Sequence, residues 1–242
     1  MDYYVLILFN VKWPNLGNNT DPGWLDYRLE IFRRFTLKSL LDQNDGLFRI
    51  WMLCSPESER ILDPKIDALK EKYPAMADVD FIFDEEAACT SLDNNEKPLY
   101  FLKIDSDDMY RDDTVKRSRQ LLGSPAKISL VMFCNGYIYD LKTERLSGFC
   151  RRSIGTYATV FPAQTFDHDS FRKYLVCDQT KVGTKYNPRR DMSRAVCCLD
   201  HEMNLHNDPR RKGLEIGKRT GQTPSVMEEW ATKVLNNFGI KR

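Results

Sequence analysis

The chain has 242 residues, 42% of them hydrophobic and 29% charged, with a formal net charge of +1. That length and composition suit one large, soluble α/β domain with a full core. They exclude a bilayer-spanning helical protein, because the longest apolar run (Tyr3 to Phe9) is far too short. Nucleic-acid binding is excluded too, since no concentrated basic stripe carries interleaved aromatics.

Tyr3 to Phe9 reads as a strand covered on both faces. After a loop rich in Asn, Gly and Pro, Asp21-Pro22 signals a helix start. Leu25, Leu29, Phe32, Leu37, Leu40 and Leu41 then recur close to helical period as far as Gln43. Phe48 to Cys54 is a second strand, residues 57–73 a polar-faced helix stopped by Pro74, Val79 to Phe83 a third strand and Tyr100 to Ile104 a fourth. This alternation predicts βαβ units and a mostly parallel, Rossmann-like central sheet flanked by helices. Residues 114–122 read as a helix, Ile128 to Leu141 followed by the turn-like stretch 141–148 as a strand and hairpin, and Ala158 to Phe161 as a short strand. Residues 162–222 are less regular, and Ser225 to Phe238 is a final helix.

The fourth strand runs straight into Asp105, Asp107 and Asp108. Carboxylates crowded at a strand end repel one another, and a divalent ion is the usual remedy. Two of them at i, i+2 lean to the same side and can hold one Mn²⁺ or Mg²⁺ that also grips substrate phosphates, the Asp-x-Asp arrangement of nucleotide-sugar glycosyltransferases. In parallel sheets ligands bind beyond the carboxyl ends of the strands, where this cluster sits. The competing reading is an acidic turn in which Asp112 and Asp113 cap the following helix. Charge is unevenly spread, with 13 Lys and Arg against 7 Asp and Glu from residue 181 onward. That basic part suits a diphosphate-bearing substrate or an anionic membrane surface. Seven cysteines without a C-x-x-C pair read as buried reduced thiols of a cytoplasmic protein.

Trp24, Leu25, Arg28, Phe32, Thr36, Leu37, Ser39, Leu40 and Gln43, followed by FRIWML, resemble the opening of the rhamnosyltransferase family. Lys103-Ile104-Asp105-Ser106-Asp107-Asp108 is similar to that family's acidic motif. Asn135-Gly136-Tyr137 (as a hairpin), His201-x-x-Asn204 and Phe238-Gly239-Ile240 also match its pattern. The resemblance implies a type-A (GT-A), family-2-like glycosyltransferase in a single domain over residues 1–242. Residues 1–110 would bind the nucleotide-sugar and residues 111–242 the glycan or glycoconjugate acceptor. Two departures stand out: Lys103 replaces an expected arginine, and Phe9-Asn10 lacks an arginine expected after the first strand.

On this resemblance Asp107, with Asp105 and His201, ligates the metal. Lys103, Asp105 and Asn10 contact the donor. An inverting transfer needs a carboxylate base on the acceptor side. Asp191 and Asp200 are the alternatives favoured among Asp167, Asp169, Asp191, Asp200 and Glu202. Arg189-Arg190, Arg210-Arg211-Lys212 and Lys218-Arg219 could close as a lid over the diphosphate. Trp13, Tyr137 and Tyr139 could stack on a ring, and His206 accompanies His201. A non-catalytic carbohydrate-binding scaffold and a sugar-phosphate nucleotidyltransferase remain competing functions, although residues 10–19 lack the Gly-rich basic loop that the latter needs. A haloacid-dehalogenase-type phosphatase is disfavoured by Met109 and by the late position of the motif.

Overall fold

The computed structural model describes residues 2–11, 20–93, 95–124, 126–150, 156–176, 187–201 and 224–240. The first strand, β1 (Asp2–Leu8), pairs in parallel with β2 (Arg49–Leu53) on one side and β4 (Leu99–Asp105) on the other. β3 (Val79–Ile82) extends this parallel set beyond β2. Both faces are covered, as the unbroken apolar runs require. Tyr3 and Tyr100 stack on one face, where the Tyr3 hydroxyl meets Ser118 of helix α5 (Thr114–Leu122). Tyr4 and Phe101 stack on the other, where Phe101 meets Phe166 and Phe171. Phe171 belongs to a short helix, α6 (His168–Tyr174).

Beyond β4 the sheet changes character. β8 (Tyr157–Phe161) runs antiparallel to β4 and to the long strand β6 (Ser129–Asp140), which carries the hairpin partner β7 (Arg145–Cys150). β9 (Arg189–Asp200) pairs in parallel with β6, and β5 (Asp108–Tyr110) pairs antiparallel with β9. The order is β3-β2-β1-β4-β8-β6-β9-β5, one sheet running through both halves of the chain. The expectation of a mostly parallel sheet therefore holds only for the first half, since four of the eight strand pairings are antiparallel. For the β6–β7 pair the reason is a short connection: a parallel pair needs a crossover of a dozen residues or more, and the β6–β7 turn is far shorter.

Helix α1 (Pro22–Ile31) begins where Asp21 and Pro22 signalled, with the Asp21 carboxylate accepting from the Trp24 amide at 2.7 Å. It continues through a π-helical turn (Phe32–Leu37) into α2 (Lys38–Leu41). Such turns shift the phase of a helix and occur often at functional sites. Here Leu25, Leu29 and Phe32 pack into the main core, whereas Ile31 and Phe35 face a second one. That second core joins Met109, Tyr137, Tyr139, Cys197 and Leu199 to Leu235 and Phe238. Leu235 lies on the final helix, α7 (Pro224–Asn236), and Phe238 follows it. Gly239 ends the tail at φ 79°, the left-handed conformation expected of a helix C-cap glycine. The remaining helices, α3 (Glu59–Lys72) and α4 (Glu85–Thr90), connect the parallel strands.

Several local readings change. Asn135-Gly136-Tyr137 is not a hairpin turn; it lies inside β6, where the register with β9 shifts in a bulge. The turn falls at residues 141–144, within the turn-like stretch 141–148 that the sequence marks after the strand. Arg189-Arg190 opens β9 rather than forming a lid, with the Arg189 guanidinium donating to the Leu121 carbonyl. Asp113 makes no side-chain cap to α5, because Arg111 grips its carboxylate at 2.6 and 2.9 Å. The less regular stretch 162–222 contains α6 and β9. Trp13, Glu202, Asn204, His206 and the basic clusters at 210–212 and 218–219 lie outside the described residues.

Gly136 explains why the bulge carries no side chain. A Cβ there would lie 2.3 Å from the Val196 carbonyl oxygen and 2.7 Å from the Phe149 ring. Gly136→Ala is expected to destabilise the fold by about 1–3 kcal/mol, as overpacking does. That is a fall of roughly 2–4 °C in melting midpoint per kcal/mol. An unchanged thermal melt would show that β9 yields at this point.

Candidate active site

The acidic motif stands at the carboxyl end of β4. Asp105 pairs with Leu8 on β1; Ser106 and Asp107 form the turn; Asp108 then starts β5 opposite Cys198 of β9. The motif thus joins the parallel half of the sheet to its far edge. Helix α1 and its continuation brace the turn through side chains. Thr36 Oγ1 donates to the Ser106 carbonyl at 3.0 Å, and the Tyr110 amide donates to Ser39 Oγ at 3.1 Å. Gln43 donates to the Arg111 carbonyl at 2.8 Å and accepts from the Val115 amide at 3.0 Å.

The closest brace is Arg28, which is 9% exposed. Its Nη2 donates to Ser106 Oγ at 2.5 Å and its Nη1 to Asp107 Oδ2 at 2.7 Å. His201 Nε2 is 3.2 Å from the same carboxylate oxygen and 3.3 Å from Arg28 Nη1. Burial disfavours the Asp107 anion, but the Arg28 charge and the His201 contact outweigh it and hold its pKa well below the usual carboxylate range. Asp108 goes the other way. Buried and beside Asp107 and Asp105, it has its pKa pushed well above the ordinary value, even with a hydrogen bond from Cys198. Lys103 is fully buried within β4, its Nζ 3.7 Å from Asp105 Oδ1 and over the Tyr157 ring at 5.5 Å. Asp105 remains partly exposed, its side chain 37% accessible.

The sequence-expected residues divide accordingly. Lys103, Asp105, Asp107 and His201 come together, and Asp200 adjoins them as the last residue of β9. Asp191 does not. It lies nine residues back along β9, about 30 Å away at strand rise. There Arg117 holds it through two hydrogen bonds of 2.6 and 2.9 Å, and Ser193 adds a third. Asn10 is buried, and its side-chain carbonyl accepts from the Ser55 amide at 2.9 Å, tying the end of β1 to the loop after β2. Tyr137 and Tyr139 lie in the second core, and Asp167 caps α6 by accepting from the Ser170 amide. Sequence reasoning did not assign Arg28 to the site. Its signal was a cation on the apolar stripe of the helix, one turn from Leu25 and Phe32, where an unpaired charge would be costly.

The Asp105, Asp107 and His201 set was expected to hold Mn²⁺ or Mg²⁺. Among the described residues no group of three His, Cys, Asp or Glu side chains converges as metal ligands. The oxygen of Asp107 that meets His201 is already neutralised by a guanidinium at 2.7 Å. The described residues as placed do not fit a divalent ion.

A cavity of about 1020 Å³ opens at the same edge of the sheet. Its walls are the ends of β2 and β3 (Leu53 to Ser55, Ile82 to Asp84), Val11 after β1, and side chains of α4 and α6. Carboxylates dominate its polar lining: Glu57, Glu59, Asp84, Glu85 and Glu86. Glu85 is engaged by His168 at 3.0 Å and Arg172 at 2.9 Å.

Residues 18–209 match the family model described as "Putative rhamnosyl transferase". The chain belongs to that family. The helix that braces the acidic turn and the motif itself both lie within the matched span of this rhamnosyltransferase family. No curated protein matches the chain. Among solved structures it is similar to the mannose-6-phosphate isomerase of Helicobacter pylori, at 12% identity and a TM-score of 0.34. That match covers 72% of this chain and 75% of the other, a likeness too distant to carry any argument. No helix among the described residues is long and apolar enough to cross a membrane. Cys54, Cys89, Cys134, Cys197 and Cys198 are buried thiols.

Asp108 yields a pH-dependent prediction. A carboxyl whose pKa is raised in the fold supports stability below the ordinary carboxylate range, and that support is lost as pH rises toward the folded-state pKa. Asp108→Asn is therefore expected to melt at a higher temperature than the parent near pH 8 and to lose this advantage toward about pH 4. Thermal melts across that interval check it, and an advantage independent of pH would argue against a buried neutral acid.

Proposed function

We propose that this member of the rhamnosyltransferase family is a glycosyltransferase of the type-A arrangement. It moves a sugar, rhamnose by family, from a nucleoside-diphosphate donor to a hydroxyl of a glycan or glycoconjugate. The observation that carries the reading is the placement of cavity and acidic motif on one carboxyl edge. Neighbouring strands lie about 4.8 Å apart, so roughly 10 Å separates the end of β2 from that of β4. That span suits a nucleoside whose base enters the cavity and whose phosphates reach the motif. The charges differ between the two places: the carboxylate-lined cavity suits neutral base and ribose donors and repels phosphate, whereas at the β4 end Arg28 and Lys103 offset the charges of Asp107 and Asp105.

In the transfer, the bond from the anomeric carbon to the diphosphate oxygen breaks, and its electron pair leaves with the diphosphate. The acceptor oxygen bonds to the opposite face of that carbon, inverting it, and its proton passes to a carboxylate. Of the two bases considered from sequence, Asp200 is the one beside His201 and the motif, while Asp191 is engaged by Arg117 far along the strand. The C-terminal half of the sheet then serves the acceptor, and the basic composition from residue 181 onward would suit a glycan borne on an anionic membrane.

Titration of UDP, GDP, ADP and dTDP into the full chain tests the reading. Saturable binding of one nucleotide is expected, and binding of none would leave a carbohydrate-binding scaffold in front. With the donor so identified, Asp200→Asn is expected to lower kcat by about 10²–10⁴, the usual contribution of a general base, with little change in donor affinity. Full activity in that variant would remove Asp200 as the base.

A further inference from the structure

Arg28 is more than a brace. A guanidinium offers five N–H donors in a rigid fork, and here one nitrogen serves Asp107 and another Ser106. Its buried Nε has no hydrogen-bond partner among the described residues. The cation rests on the Trp24 face, its carbon 5.5 Å from the ring centroid. A group pinned in this way is pre-organised, so little rotamer freedom is left to lose when an anion arrives. Charge balance points the same way. Two carboxylates, Asp105 and Asp107, face two cations, Lys103 and Arg28, at 3.7 and 2.7 Å. The repulsion that would call for a divalent ion is already relieved by side chains.

We infer that Arg28 is the cation on which the donor's diphosphate rests, so that nucleotide binding at this site requires no divalent ion. The inference deepens the transferase reading and rests on it. A divalent ion seated on Asp107 Oδ2 would first have to displace a guanidinium at 2.7 Å. Arginine in its place matches phosphate oxygens with two parallel N–H bonds, and it stabilises the negative charge that gathers on the leaving diphosphate as the anomeric bond breaks.

The test is calorimetric titration of UDP, GDP, ADP and dTDP into the full chain, once with Mn²⁺ and once with EDTA. The nucleotide that binds is expected to do so with dissociation constants within about 3-fold of each other in the two buffers. In EDTA, Arg28→Ala is expected to weaken binding by about 10–100-fold. Arg28→Lys, which keeps the charge and loses the fork, is expected to weaken it by about 3–10-fold. Circular dichroism establishes that each variant is folded, and the lysine variant carries the test if the alanine variant does not fold. Binding by the parent that vanishes in EDTA, or folded Arg28 variants that bind like the parent, overturns the inference and leaves the transferase reading intact. Binding of no nucleotide in either buffer overturns both.

Discussion

The ion pair between Arg28 and Asp107 holds together the region on which the rest of the molecule converges. Both groups are largely withdrawn from water, and each alone would carry a severe desolvation penalty. Paired, they couple the long N-terminal helix to the turn between β4 and β5, with Ser106 and His201 completing the arrangement. Removing either charge would leave the other buried without its closest compensation, so the two constrain each other. Asp108 goes the other way in the same neighbourhood: burial, with Asp107 and Asp105 beside it, pushes its pKa up.

Around this pair the architecture divides into two halves with different physics. The parallel strands β3-β2-β1-β4 are buried on both faces and deliver their carboxyl ends to one edge, where cavity and motif lie together. The second half is built from hairpin-like antiparallel pairings and one long bulged strand. β5 closes the link, because three residues after the acidic turn pair with β9 at the far edge. The N-terminal helical segment serves two cores, since Phe32 enters one and Phe35 the other. The tail adds a further tie through the Asp112 amide, which donates to the Asn237 carbonyl at 2.9 Å.

The functional logic follows from how charge is distributed along that edge. A cavity walled by glutamates is a poor place for phosphate and a good one for the hydrogen-bond donors of a base and ribose. Beside the motif a guanidinium and an ammonium instead offset Asp107 and Asp105. A nucleoside diphosphate is neutral at one end and anionic at the other. Asp191 and Arg117 form a part-buried ion pair that joins β9 to α5 well away from this edge.

Local sequence determined a good part of this protein. Unbroken apolar runs announced β1, β2 and β4; Asp21-Pro22 marked the start of α1; Lys103, Asp105 and Asp107 stood out because carboxylates crowd the end of an apolar strand. Other features depended on partners distant in the chain. Asn-Gly normally announces a turn, yet Gly136 sits in a bulge because Val196 and Phe149 approach too closely for any side chain. The direction of β8 and β9, the separation of Asp191 from Asp200, and the role of Arg28 were likewise settled by tertiary contacts. Asp107 lies 79 residues from Arg28 and 94 from His201. No local pattern records which of several carboxylates a buried cation will meet. Desolvation and pairing decide that only when the sheet has closed and the helix lies across its edge.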